Sequence, residues 1–126
     1  MKLNDPAVVA EVTAAFELYE RALLDNDNET LLGLFLDSPL TVRYGAAEVQ
    51  HGLTEIAAFR RVQAPFERSL SNLVITTYGE DFATASTLFR RPDLPGQVGR
   101  QMQTWIRTPD GWRVAAAHVS MMVEPA

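Results

Sequence analysis

The chain has 126 residues and 14.0 kDa, sixteen acidic against eleven basic residues, a formal charge of -5 and a pI near 4.9. Ten of the basic residues are arginine and the one lysine is Lys2, which excludes an interior Schiff-base or pyridoxal-phosphate lysine; no cysteine means no disulfide, thiolate zinc site, iron–sulfur cluster or cysteine nucleophile. The two histidines, His51 and His118, stand far apart with no HExxH-type partner, so no metal is expected, and an acidic chain without a lysine cluster is a poor ligand for nucleic acid.

A hydrophobic fraction of 47% fits one globular domain over residues 1–126. No stretch reads as a signal peptide or approaches the roughly 18 apolar residues of a membrane span, so a soluble, cytoplasmic protein is expected. The charge is uneven. Residues 1–37 hold eight acids and two bases, whereas residues 38–126 hold eight acids and nine arginines.

In chain order, Asp5 is an N-cap followed by Pro6 at the first helical position, and Val9, Val12, Phe16, Tyr19 and Leu23 recur at helical spacing. A long helix over about residues 5–25 follows. The cluster Asp25-Asn26-Asp27-Asn28 turns the chain, and residues 29–36 read as a short second helix that stops before Ser38-Pro39. Residues 40–44 alternate as a strand, with a return over 48–50. Gly52 opens a third helix over about 52–64, ended by Pro65.

Thereafter the period changes. Residues 66–78, 82–91, 98–107 and 112–123 are four strands rich in β-branched and aromatic residues, joined by turns at Gly79-Glu80-Asp81 and Thr108-Pro109-Asp110-Gly111 and by a longer loop over 92–96. Helix, helix, hairpin, helix and then four antiparallel strands imply an α+β domain with helices over one face of a curved sheet.

That order, ending in Gly111-Trp112-Arg113-Val114-Ala115-Ala116-Ala117-His118-Val119-Ser120, resembles the NTF2-like (SnoaL-like) cone fold. Three blocks narrow the resemblance: Arg43-Tyr44-Gly45 with Glu48, Gly52, Ile56, Phe59 and Arg60; Gly99-Arg100-Gln101 with Gln103-Thr104-Trp105; and Gly111-Trp112-Arg113 with His118-Val119-Ser120. Together they are similar to the HpxZ and AtzH-like group of oxalurate and s-triazine catabolism. Met102 departs from the small polar residue expected beside the Gln-Thr-Trp block. The resemblance implies three helices on a strongly curved, mainly antiparallel sheet. It also implies a homodimer through the sheet face and a cofactor-free pocket for a small anionic substrate, working beside an amidase-family pathway partner. AtzH-like members are associated with removing a carboxyl group from 1,3-dicarboxyurea to give allophanate, so the expected activity is decarboxylation or hydrolysis of a small N-carboxy urea dicarboxylate of this kind.

Several residues then compete for roles. Arg43, in mid-strand, is either an outward charge or an inward anion anchor, because an unpaired buried guanidinium is costly; the resemblance favours the anchor. Tyr19 lies on the apolar stripe of the first helix. It is either a core residue or, in a cone roofed by that helix, a hydroxyl aimed at a ligand and able to donate a proton beside an arginine. Arg60 follows Ile56 by four residues and so shares the buried helix face, as a ligand group or as the ion partner of Glu48 or Glu55, while Arg61 points about 100° away.

Gln103 and Trp105 share one strand face, opposite Met102, Thr104 and Ile106. Strict alternation on the last strand groups Trp112, Val114, Ala116, His118 and Ser120. His118 is then either a satisfied core histidine or a hydrogen-bond donor to a carboxylate, with Ser120 beside it. A Ser-His pair is disfavoured, because same-face neighbours on one strand lie about 6–7 Å apart. The catalytic expectation is Tyr19 with Arg43, and the substrate-binding expectation is Arg60, Gln103, Trp105, His118 and Ser120. Two alternatives stand beside the enzyme: a noncatalytic dimeric partner of an amidohydrolase or metabolite, and an isomerase-type proton shuttle with Glu48 as base in an apolar cavity.

Overall fold

The computed structural model describes residues 1–125. Helix α1 spans Pro6–Leu24, α2 Asn28–Gly33 and α3 Leu53–Val62; strands β1 and β2 span Val42–Tyr44 and Val49–His51, and β3 to β6 span Ser69–Tyr78, Phe82–Arg90, Gln97–Thr108 and Gly111–Val123. All six strands form one sheet in the order β2-β1-β6-β5-β4-β3. Every neighbouring pair is antiparallel except β1 with β6. The expected α+β cone, three helices against a mainly antiparallel sheet, is the observed architecture.

Local chemistry sets the helix starts. The Asp5 carboxylate accepts the Ala7 amide at 3.0 Å, and Asp27 accepts that of Thr30 at 3.2 Å, each satisfying an orphan N–H of a first turn. Along α1 the residues Val8, Val12, Phe16, Tyr19 and Leu23 are buried, and they meet Leu31, Phe35, Ile56, Trp105 and Val114 in one core. Gly52, the N-cap of α3, adopts φ 83°, a left-handed conformation that favours glycine.

Of the boundaries that differ from the sequence expectation, three have a traceable reason. The second helix ends at Gly33 instead of Leu36, because the next residues join the sheet: Val114 donates to the Leu34 carbonyl at 2.7 Å, and Leu36 donates to that of Val114 at 2.9 Å. Strand β1 begins at Val42 because the Thr41 backbone N–H is spent on the Ser38 carbonyl at 3.3 Å, with its buried hydroxyl on the Leu36 carbonyl at 2.7 Å, while Leu40 is exposed. Strand β3 begins at Ser69, three residues late, since Phe66 and Arg68 turn their side chains to the cavity under the helices.

Two irregularities curve the sheet. In β3 the register shifts between Ser71 and Val74, where Asn72 takes φ 55°, a value asparagine tolerates better than most residues. On β6, Thr104 of β5 pairs with Ala116 but Trp105 pairs with Val114, so Ala115 is an extra residue in the ladder. Such a bulge bends its strand and reverses the alternation beyond it. Trp112 and Val114 face the core before it, and Ala117 faces the core after it.

Candidate functional site

Between the helices and the concave sheet face lies a cavity of about 170 Å³, well below the roughly 300–1,000 Å³ of sites for drug-sized ligands. Four of the ten arginines line it: Arg43, Arg60, Arg68 and Arg91. Each guanidinium lies over a phenylalanine ring. Arg43 and Arg60 flank Phe59 at 4.8 and 5.4 Å from its centroid, Arg68 lies 4.8 Å over Phe89, and Arg91 lies 4.3 Å over Phe66. Such stacking holds a planar cation against an apolar wall and leaves its edge free to donate.

Carboxylates distinguish the four. Arg68 is bidentate to Glu20 of α1, and Arg91 is paired with Asp93. Arg43, only 6% exposed, points inward from β1 and donates through Nη1 to Glu48 at 2.8 Å and Gln50 at 2.9 Å; its Nε is buried with no partner among the described residues. Glu48 is held there by close packing, since a Cβ at Gly45 would sit 1.7 Å from its carboxylate oxygen.

Arg60 is the exception. At 4% exposure it donates to the Gln63 side-chain oxygen at 2.6 Å and to the Tyr19 hydroxyl at 3.5 Å, and it has no carboxylate partner among the described residues. The ion pair with Glu48 or Glu55 considered from sequence is therefore not formed: Glu48 serves Arg43, and Glu55 caps the His51 amide at 2.8 Å. Burial lowers the pKa of Arg60 from its ordinary value; Tyr19 opposes that shift and the like charge of Arg43 adds to it. Even lowered, a guanidinium remains charged at neutral pH.

Tyr19 is 3% exposed, placed by the α1 stripe with its ring edge-on to Phe35 and Trp105 and its hydroxyl beside Arg60. Gln103 lines the cavity floor from β5, whereas Trp105, with no exposed surface, lies beneath the lining and donates its indole N–H to Gln103 at 3.0 Å. The structure thus brings together Tyr19, Arg43, Arg60 and Gln103, with Trp105 as support.

His118 and Ser120 are not brought there. The Ala115 bulge turns them to the outer face of the sheet, where they border a groove with Met102, and Arg100 donates to the Ser120 hydroxyl at 3.1 Å. Their grouping with Trp112 and Val114 fails because strict alternation does not survive an extra residue. Arg68 and Gln101 are cavity residues that the sequence reading did not assign. Gln101 was within reach, being two residues from Gln103 on the same face. Among the described residues no three His, Asp or Glu converge as metal ligands would, and no helix is long and apolar enough to cross a membrane. The isomerase alternative finds no support in this geometry, since Glu48 is tied to Arg43 and the cavity is cationic.

The profile of the AtzH-like family matches residues 1–125. Among solved structures, the chain is similar to a cystatin-like fold protein from Burkholderia xenovorans LB400, with 52% identity, 99% of each chain covered and a TM-score of 0.96. A protein of unknown function from the DUF3225 family of Pectobacterium atrosepticum is also 52% identical, with 95% of this chain and 94% of that one covered and a TM-score of 0.92. At 20% identity, an NTF2-like protein from Pseudomonas putida KT2440 shares the fold, with a TM-score of 0.77 over 92% and 87% of the two chains. No curated protein matches the sequence.

Proposed function

Because the chain belongs to the AtzH-like family of NTF2-like proteins, we propose that it is a cofactor-free enzyme that decarboxylates a small N-carboxy urea dicarboxylate, of the 1,3-dicarboxyurea type. The observation that carries this reading is Arg60: a buried guanidinium without a carboxylate among the described residues, facing the cavity beside a tyrosine hydroxyl. Burying an uncompensated cation is destabilising, and an anionic ligand is the group that compensates it.

In this reading Arg60 and the free edge of Arg43 hold the retained carboxylate by charge-assisted hydrogen bonds. The departing carboxylate lies against the apolar part of the lining, Leu23, Val119 and Met121, where loss of charge as CO2 is favoured. The carbon–nitrogen bond breaks with its electron pair left on nitrogen, which takes the Tyr19 proton; the phenolate is stabilised by Arg60 and recovers a proton from water. Gln103 donates to the urea core and Trp105 keeps Gln103 in place.

Freshly generated 1,3-dicarboxyurea tests the assignment directly, with CO2 and allophanate followed against the spontaneous rate. Wild type should accelerate the loss of CO2, and Tyr19→Phe should lower turnover about 100-fold or more while leaving affinity for the dicarboxylate largely intact. No acceleration by wild type would sink the decarboxylase. Tight binding without turnover would instead establish the noncatalytic metabolite-binding alternative.

A further inference from the structure

Gln101 and Gln103 are 4% and 2% exposed, neighbours on the inward face of β5, and both line the cavity. The side-chain oxygen of each is already engaged: Gln103 Oε1 accepts from the Trp105 indole at 3.0 Å, and Gln101 Oε1 accepts from Arg68 Nη1 at 3.0 Å. Indole and guanidinium only donate, so neither carboxamide can turn over without setting donor against donor. The NH2 group of each glutamine is consequently fixed on the other side, buried, with no acceptor among the described residues. Arg43 Nε and Arg60 Nε are the other such atoms in the cavity, and they too are donors.

Register places this pair relative to the arginines. Arg43 on β1 pairs with Ala117 of β6, and Ala117 pairs with Gln103 of β5. Arg43 and Gln103 therefore stand two strand spacings apart, about 10 Å between Cα atoms, with only a methyl group between them. A ligand whose carboxylate meets Arg43 and Arg60 extends across Ala117 and presents its next oxygen to the glutamines.

We propose that Gln101 and Gln103 are a paired donor site for one carbonyl oxygen of the ligand, held donor-inward by Arg68 and Trp105 as positioning residues. The site selects dicarboxylates that carry a central carbonyl, as a urea does, over those with a methylene there. This deepens the function proposed above and rests on its anion site.

Two probes of equal charge separate the ideas: 3-oxoglutarate, freshly dissolved and kept cold because it loses CO2 on standing, which carries the central carbonyl, and glutarate, which has the same charge without it. Titration calorimetry should give 3-oxoglutarate about tenfold tighter binding to wild type, the scale of leaving buried donors unpaired. Trp105→Phe, which frees Gln103 to turn, should shrink that ratio several-fold, and Gln103→Leu should bring it close to one. A merely structural role for Trp105 lowers the melting temperature and leaves the ratio unchanged, which would overturn the positioning claim. In wild type, which needs no variant to fold, the side-chain NH2 proton resonances of both glutamines should move downfield with 3-oxoglutarate and far less with glutarate. Equal affinities with unmoved amide resonances would overturn the carbonyl site while leaving the anion site intact; binding of neither probe would overturn both.

Discussion

At the scale of the residue, the cavity is built from side chains that are poor choices for stability. A buried arginine with no carboxylate raises the energy of the folded chain, and hydrophobic residues of similar volume commonly replace such charges at no loss. Arg60→Met should therefore unfold at a higher temperature than wild type, with a gain of roughly 1–2 kcal/mol, while losing affinity for a dicarboxylate. Differential scanning calorimetry with and without saturating glutarate, which survives heating, checks both halves: the ligand should raise the wild-type melting temperature and leave that of the variant unmoved. A melting temperature that falls in Arg60→Met would mean that its bonds to Gln63 and Tyr19 outweigh its desolvation.

Among the elements, α1 does two jobs, one with its apolar stripe and one with the flank beside it. Its apolar stripe roofs the cavity and supplies Tyr19, while Glu11 ties it to the β5–β6 hairpin by accepting from the Trp112 indole at 3.0 Å and from Arg107 at 2.6 Å. Those two hydrogen bonds, the indole first, hold the Glu11 pKa below its ordinary value near 4.5. A carboxyl group with a depressed folded-state pKa contributes stability above its unfolded pKa and loses it as pH falls through the folded value. The melting temperature of wild type should thus drop more steeply between pH 5 and about pH 3 than that of Glu11→Gln, whose side chain does not titrate. Parallel curves would show that this exposed tie contributes nothing measurable, the common fate of surface ion pairs.

Across the whole molecule, the sheet separates two chemistries. The concave face meets the helices and holds four of the arginines; the outer face leaves Tyr44, Val74, Phe82 and Met102 exposed. The homodimer implied by the family resemblance is proposed to cover that outer face. In it, Met102→Glu sets like charges into an apolar contact and should shift sedimentation toward the monomer, with affinity for glutarate preserved because the residue points away from the cavity. A wild-type protein that sediments as a monomer would refute the dimer and leave the cavity argument untouched.

By itself, the sequence determined the helical stripe of α1, the cap at Asp5, the turn at Asp25 to Asn28, the four long strands and the family, because these depend on local periodicity and on residues close along the chain. It also brought Tyr19, Arg43, Arg60 and Gln103 into consideration, since a tyrosine or a charge at a buried register position is visible as an exception to its pattern. Tertiary structure decided the rest. Whether Arg43 or Arg60 lacked a carboxylate depended on which one Glu48 reached, a choice made by the packing of Gly45 under its side chain. Arg68 fell within the strand read over 66–78 and had no role until β4 and β5 gave it Phe89 and Gln101, and a single unpaired alanine sent His118 and Ser120 to the other side of the sheet. Pairing across strands and the placing of a bulge are set by contacts distant in sequence, and one residue of shift inverts every side chain beyond it.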